Sequence, residues 1–519
     1  MHSRRLHSVR SVGPLLVCLL ALLAACQSAD PDGFPIIIVA DGVERDLVVM
    51  GPTVREALAE AKVTLGDADR VEPPEFTLLE RDLVIQVIRV TEAYTVTQAV
   101  VPFERKTVRN ESLPAGETRM LQAGTNGLRE LTVRVVYEDG AEVDRRVVRE
   151  VLITAPVDEV IMVGSRGTLV PVPISGTLVY LDGGNPWVVA GNTAVRRPLD
   201  ASGDLDGRVF ALSPDGKELL YTRAAPVMTN TDNVLLNTLW RVSIAERGKP
   251  ASTAITSVLN LTWSPQGDAF AYTTGERVTQ SPGWQANNDL WQATIQDDGR
   301  LRLGRVRDSS AGGAYGWWGT QYAWQPLGRL LAYARADETG TISLDQGALR
   351  PLSAIQVFRT YGDWVWVPTP AWSTDGEYLY LVLHGPPPPR VAPEDSRVFD
   401  LWALGPSSGV AVKLVADCGM WAYPAPSKWG IAYLQALDPE DSALGRYALY
   451  VMDRDGSNQR LLFPPAGDPG LKPQRVAWAP TGREIALVYQ GDIYLVDIET
   501  GTARQVTSDG ESSNPQWGP

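Results

Sequence analysis

Histidine and cysteine are nearly missing from this chain, at three residues each among 519. His2, His7, Cys18 and Cys26 crowd the first 26 positions, so only His384 and Cys418 lie further on. A single later cysteine excludes an intramolecular disulfide framework. A single later histidine leaves no clustered His, Asp and Glu set of the kind that metal-assisted or acid–base chemistry most often uses, and no metal or cofactor is expected. Positive charge is also short: 47 Lys and Arg stand against 61 Asp and Glu, a net charge of −14. Such a surface repels polyphosphate, so nucleic acid is not an expected partner. Past residue 25 no run approaches 18 uncharged apolar residues, and no later segment is expected to span a bilayer.

What the chain does have begins at its amino end. Arg4, Arg5 and Arg10 precede an almost uncharged run from Val12 to Ala25, the order of a secretory leader. At 14 residues the run falls short of the roughly 20 that a span needs. It ends in Leu23-Ala24-Ala25-Cys26, which resembles the bacterial lipobox. The resemblance implies lipid on the Cys26 thiol, cleavage before Cys26 and acylation of the new amino end, giving an exported protein lipid-anchored to the outer face of the cytoplasmic membrane. An ordinary secretory signal with a chance cysteine is the alternative, and Leu6-His7 fits twin-arginine export poorly. Losing residues 1–25 removes three of the 47 basic residues and no acid, leaving 44 against 61 and a net charge of −17. Residues 26–35 read as a linker.

Length predicts about three domains at roughly 150 residues each, and 16 Trp with 38 Pro favour β structure rich in turns. In residues 36–89, Asp41-Gly42 separates two β-type runs and predicts a hairpin. Thr53 and Glu56 have capping-box spacing, and Val54, Ala57, Leu58 and Ala61 form an apolar helical stripe that Gly66 is expected to end. With a strand over 83–90 the unit is ββαβ. Val54-Arg55-Glu56-Ala57-Leu58 through Leu65-Gly66-Asp67-Ala68-Asp69-Arg70-Val71 resembles the small ubiquitin-like domain of resuscitation-promoting factors and related surface proteins.

Residues 90–168 change to extended alternation, with Asp139-Gly140 as a hairpin turn, and predict a thin, elongated module held by backbone pairing more than by a core. Gly116, Gly124, Gly127, Gly140 and Gly164 fall in the order of the G5 domain, which this segment resembles. The resemblance implies a cell-envelope module, with binding of cell-wall glycan of the N-acetylglucosamine type proposed for it. The zinc-mediated association of some members would have to rest on carboxylates here, because residues 36–170 lack His and Cys. A plain spacer is the alternative.

From residue 175 to 519 one phrase recurs: Leu212-Ser213-Pro214-Asp215-Gly216, Trp263-Ser264-Pro265-Gln266-Gly267, Trp324-Gln325-Pro326-Leu327-Gly328, Trp372-Ser373-Thr374-Asp375-Gly376 and Trp478-Ala479-Pro480-Thr481-Gly482. Weaker copies surround 421–430 and Trp517-Gly518-Pro519. Pro sets the turn, Gly supplies a left-handed residue, and the aromatic packs between neighbouring units. The repeat resembles TolB-like, WD40-like β-propellers. Joining the terminal strand around Trp517 to strands after Gly176 makes a composite blade that closes the ring; counting it gives seven blades, and insertions near residues 275–320 leave six open. The expected fold class is therefore mainly β: ubiquitin-like unit, G5 module, propeller.

No Gly-x-Ser-x-Gly elbow and no following α/β-hydrolase domain are expected, and His384 reads as a loop residue. Trp317 and Trp318, in a glycine-rich stretch, could stack on sugar rings or pack at a blade edge; Tyr361, Trp364 and Trp366 alternate as core residues would. A lipid-anchored binding protein follows, not an enzyme, with cell-wall glycan and a protein or saccharide on the propeller as partners. A stalk-bearing structural adaptor and a carboxylate-dependent glycosidase are the alternatives.

Overall fold

Asp41 (φ 55°) and Gly42 (φ 73°) both adopt the left-handed conformation that a two-residue hairpin demands, and they join strands Phe34–Ala40 and Val43–Val49. The computed structural model describes residues 33–110, 113–164, 169–225, 235–245, 248–328, 330–357, 365–392 and 395–519. The leader, Cys26 and most of the linker lie outside the described residues. Two compact units divide the rest: one takes the chain to Arg105 together with Gln122–Glu159, the other Lys106–Leu121 with Val160–Pro519. Among the described residues no helix is long and apolar enough to cross a membrane.

In the first unit, Phe34–Ala40 pairs in parallel with Leu83–Ile88, which also pairs the short strand Arg70–Glu72. Thr53 caps helix Val54–Glu60 through the expected reciprocal bonds with Glu56, and Val54, Ala57 and Leu58 bury against Ile36, Ile38 and Ile85. The helix is shorter than the stripe predicts. Lys62 turns left-handed (φ 55°) and stops it, while the Gly66 amide serves a later turn by donating to Asp69 Oδ2 at 2.9 Å. Next come three long strands, Val90–Val101, Gly127–Glu138 and Ala141–Thr154, paired in that order. Val96, Val100, Val147 and Leu152 stay exposed along them, so this sheet is held by its ladder, as its alternation implies.

Arg89 fastens that sheet to the ubiquitin-like unit. Its guanidinium donates to both oxygens of Asp41 (2.7 and 3.0 Å), to Asp69 Oδ2 (2.7 Å) and to the Thr64 carbonyl (2.7 Å). Its backbone exchanges bonds with Asp139 at 2.9 Å each way. The Asp69 side chain is only 8% exposed, so its charge relies on these partners. Arg89→Ala should cost the unit about 2 kcal/mol, a figure already reduced for exposure of the guanidinium, and urea unfolding of the intact chain measures it. Backbone and side-chain hydrogen bonds hold the Asp69 carboxyl low, and the Arg89 bond does the same for Asp41. Both groups therefore contribute fully above an unfolded value of about 3.9, and that contribution fades as pH falls through their lower folded values.

The second unit starts with three short strands ordered Arg105–Asn110, Glu159–Gly164, Thr118–Gln122. This part of the G5 region departs from the thin, coreless expectation. Val108, Val160 and Met162 are buried in one cluster with Val172, Ile174, Leu178 and Tyr180. Burial, more than pairing, is what holds these strands.

Beyond residue 172 the described residues form seven sheets, six of four strands and one of five. The first uninterrupted one comprises Leu205–Leu212, Glu218–Ala224, Asn237–Ser243 and Ala251–Thr256, from inner to outer. Five more follow over 258–307, 321–354, 371–415, 425–463 and 477–505. In the seventh, Arg196–Pro198, Asn185–Asn192 and Pro173–Asp182 receive Ser512–Gly518 as their inner strand, with Leu178 opposite Trp517. Each inner strand touches the next, and Ser512–Gly518 touches both Leu205–Leu212 and Ala477–Trp478, closing the ring.

The recurring phrase makes the turn between inner and second strands. In the first copy, Ser213 N bonds Glu218 O (2.8 Å), Gly216 N bonds Ser213 O (2.9 Å), and Gly216 sits at φ 71°. The Ser213 hydroxyl accepts from the amides of Lys217 and Glu218 and donates to Asp215. Gly328 departs from the pattern by lying outside the left-handed region. The indoles reach backwards: Trp263, Trp372 and Trp478 donate Nε1 to the carbonyls of Ala211, Ala323 and Ala425 in the preceding sheet, at 2.9 to 3.0 Å. The phrase is thus a fastener between sheets.

Candidate functional site

Because each inner strand runs into its second strand through that turn, the turns lie along one rim of the ring. The links between second and third strands, and from each outer strand to the next inner one, lie along the opposite rim. This opposite rim, the loop face, carries the sequence segments that do not repeat.

The glycine-rich stretch is one of its links, joining Leu301–Arg307 to Gln321–Trp324. Buried Asn288 organises it, donating to Gly316 O (2.7 Å) and accepting from Thr320 Oγ1 (3.1 Å). Gly316 is needed for space, since a Cβ there would stand 1.7 Å from Ala311 O. The segment then turns through a 3₁₀ helix, Gly316–Trp318. Trp317 and Trp318 are half-buried, edge to face with ring centroids 5.4 Å apart. Both also pack against the cluster of Ala336, Val365 and Val367, the packing role foreseen for them.

Sequence reasoning missed what meets them. Trp284, on the short extra strand Trp284–Ala286 that pairs with Ala269–Arg277, lies 5.2 Å from Trp318. Arg208, on inner strand Leu205–Leu212 of the preceding sheet, sits 4.7 Å above the Trp284 ring. On the other side, Trp366 meets Trp421 edge to face at 5.3 Å, Trp421 stacks with Tyr423 at 5.9 Å, and Arg475 lies 5.5 Å above Tyr423. Val365 and Val367 flank Trp366 in the chain and touch Trp317 and Trp318, so the two groups join. The result is an arc along the loop face with an arginine at each end. Tyr361 and Trp364 lie outside the described residues. Where apposed residues come from different segments they are 34 to 76 positions apart in the chain, and no local pattern announces such pairs. The insertion around 275–320 was the one signal available.

Charge differs sharply between this arc and a nearby cleft. A small cleft lined by Asn288, Arg307, Thr320, Tyr322 and Arg335 already uses its arginines internally, Arg335 on Asp337 and Glu338, Arg307 on Gly347 O. Arg208 and Arg475 have no carboxylate partner among the described residues. Asp206, the acid nearest Arg208 in sequence, directs its side chain to Thr222, Asn237 Nδ2 (3.1 Å) and the Arg208 backbone amide (3.0 Å). Arg475 makes one long contact, 3.4 Å to Thr369 Oγ1.

His384 ends strand Leu379–His384 and stacks on Phe399 at 4.3 Å. Burial lowers its pKa to about 4, so the ring is neutral at physiological pH. Burial also pushes the Cys418 thiol up, which removes thiolate character. Among the described residues no group of three or more His, Cys, Asp or Glu is placed to hold a metal. One expectation is corrected: Gly-x-Ser-x-Gly spacing does occur, at Gly405-Pro406-Ser407-Ser408-Gly409. It forms a tight turn between antiparallel strands Phe399–Leu404 and Ala411–Val415, closed by Gly405 N to Val410 O at 2.8 Å. No helix follows Ser407, so the strand–turn–helix of a nucleophile elbow is missing there.

Comparison with known proteins bears chiefly on the amino-terminal third of the chain. Residues 91–166 match the G5 domain, residues 36–75 the G5-linked ubiquitin-like domain, and residues 443–516 the dipeptidyl peptidase IV N-terminal region. The chain is similar to resuscitation-promoting factor Rpf2 of Corynebacterium glutamicum, 28% identical over 155 residues. That alignment covers 30% of this chain and spans 41% of the relative's length. Among solved structures, a TolB protein from Agrobacterium tumefaciens is 17% identical, covering 57% of this chain and 90% of its own, with a TM-score of 0.34. The G5 domain of an IgA1 protease is 22% identical, covering 15% of this chain and 94% of its own, with a TM-score of 0.13.

Proposed function

We propose that a G5 domain joined to its ubiquitin-like companion makes this an exported cell-envelope protein, lipid-anchored through Cys26, that binds rather than catalyses. In this reading the G5 region contacts cell-wall glycan and the loop face of the ring holds a protein or saccharide. The observation that carries it is the pairing of the two amino-terminal domains with a relative named a resuscitation-promoting factor. A series of half-exposed aromatic rings supports binding at the ring. A neutral, stacked His384 and a protonated Cys418 suit packing better than proton transfer or nucleophilic attack.

The intact mature chain should be retained on purified peptidoglycan and released by N-acetylglucosamine oligomers. The whole chain is the right reagent, because Val108, Val160 and Met162 of the G5 region bury against residues beyond 170. No retention would remove the glycan contact and leave the adaptor reading, in which crosslinking in cells captures only a protein on residues 175–519. Cys26→Ser should abolish fatty-acid labelling and release the chain from membranes; persistent label would refute the anchor.

A further inference from the structure

The arc on the loop face pairs two features that seldom coincide in an acidic protein: broad apolar ring faces and guanidinium groups that form no ion pair among the described residues, with Asp206 acting on Arg208 only through its charge. We infer that the loop face takes a carboxylate-bearing saccharide, its sugar rings lying on the indoles of Trp284, Trp317 and Trp318 and its carboxylates pairing with Arg208 and Arg475. This rests on the reading of the loop face as a binding surface and names the ligand class.

The chemistry of each end supports the assignment. A guanidinium poised over an aromatic ring is held by cation–π attraction and can keep its in-plane N–H fork free, the geometry that grips a carboxylate with two parallel bonds. Both arginines are exposed and stand so, at 4.7 Å over Trp284 and 5.5 Å over Tyr423. Because the chain as a whole is acidic, an anionic ligand gains nothing from the surface at large, and attraction has to come from groups such as these. Between the ends, the indoles support one another through ring contacts of 5.2 and 5.4 Å and through Val365 and Val367. Flat faces held in place cost little ordering on binding, which suits the C–H face of a pyranose ring. A wholly neutral sugar would leave the arginines unused, and a wholly apolar segment would leave them desolvated and unpaired.

The test uses the full chain with tetragalacturonate as probe, read by titration calorimetry and tryptophan emission. The neutral tetramer of N-acetylglucosamine and a tetraglutamate peptide serve as comparators. Tetragalacturonate should bind and shift the emission, with the neutral tetramer at least tenfold weaker. Arg208→Ala and Arg475→Ala should each weaken binding about tenfold with unchanged melting curves, and Trp318→Ala, in a chain still folded by circular dichroism, should remove most of the emission change. Equal binding of the neutral tetramer overturns the acidic preference, and tighter binding of the peptide turns the face into a protein-binding one. Indifference to all three variants, or no tetragalacturonate binding, overturns the assignment. Retention on peptidoglycan is measured on the same variants: loss of retention in the unaltered chain counts against the envelope reading, whereas lost probe binding with retention intact counts against the loop-face ligand alone.

Discussion

Removing residues 512–519 should lower the melting temperature of the ring by at least ~10 °C, or leave it unable to fold. Strand Ser512–Gly518 pairs along Thr177–Asp182, and its Trp517 donates Nε1 to Ser175 O at 2.7 Å. It also secures the next sheet, since Gln516 accepts from Leu212 N at 2.7 Å and donates to Phe210 O. Losing several ladder bonds at about 1 kcal/mol each, together with a packed indole at about 3 kcal/mol, removes much of the 5–15 kcal/mol that typically separates folded from unfolded domains. The cut also strips the partner from Pro173–Asp182 and bares a strand edge, so aggregation should accompany the loss. Circular dichroism melts of the two chains decide it. A truncated chain melting within about 2 °C of the intact one would show that the seventh sheet contributes little to holding the ring.

Gly164→Ala should cost about 3 kcal/mol, several times what most exposed glycines would. A Cβ at Gly164 would lie 1.9 Å from Pro114 O and 2.9 Å from Leu113 O, both backbone atoms that cannot rotate aside. The forced separation would break the pairing of Gly164 N with Glu117 O (2.7 Å) and of Gly116 N with Gly164 O (3.3 Å). Gly116→Ala is the internal control. Its site is open, with nothing within 4 Å, and the only penalty is a left-handed φ of 83°, worth about 1 kcal/mol. Hydrogen exchange of strand Glu159–Gly164 in both variants measures the difference. If Gly116→Ala proves the more damaging, close approach is not what makes Gly164 necessary.

These glycines also show how legible the sequence was. Their order could be read directly and pointed to the G5 fold, but the reason for each was not visible. Gly124 abuts the Phe103 ring and Gly127 the carbonyl of Thr154, contacts that exist only once distant strands are paired. Local signals served well: Asp41-Gly42, Thr53 with Glu56, and the Ser-Pro-Asp-Gly phrase each encode a conformation within five residues. They failed where a neighbour overrode them, as when Lys62 ended the helix before Gly66 could. Of the candidate site, Trp317 and Trp318 stood out because they are adjacent. Arg208 and Arg475 did not, since an arginine on a strand or link looks like any solvated charge until the ring beneath it is known.

Ser175 and Trp517 are 342 residues apart, yet one hydrogen bond joins them. Such a span gives the seventh sheet a very high contact order, and the entropy of closing so long a loop must be met before its ladder returns any energy. Three strands near residues 173–198 therefore remain a template with one side vacant while six sheets assemble after them. This interval is a window for mispairing between chains, so the rate of folding, more than final stability, should limit the yield of this protein.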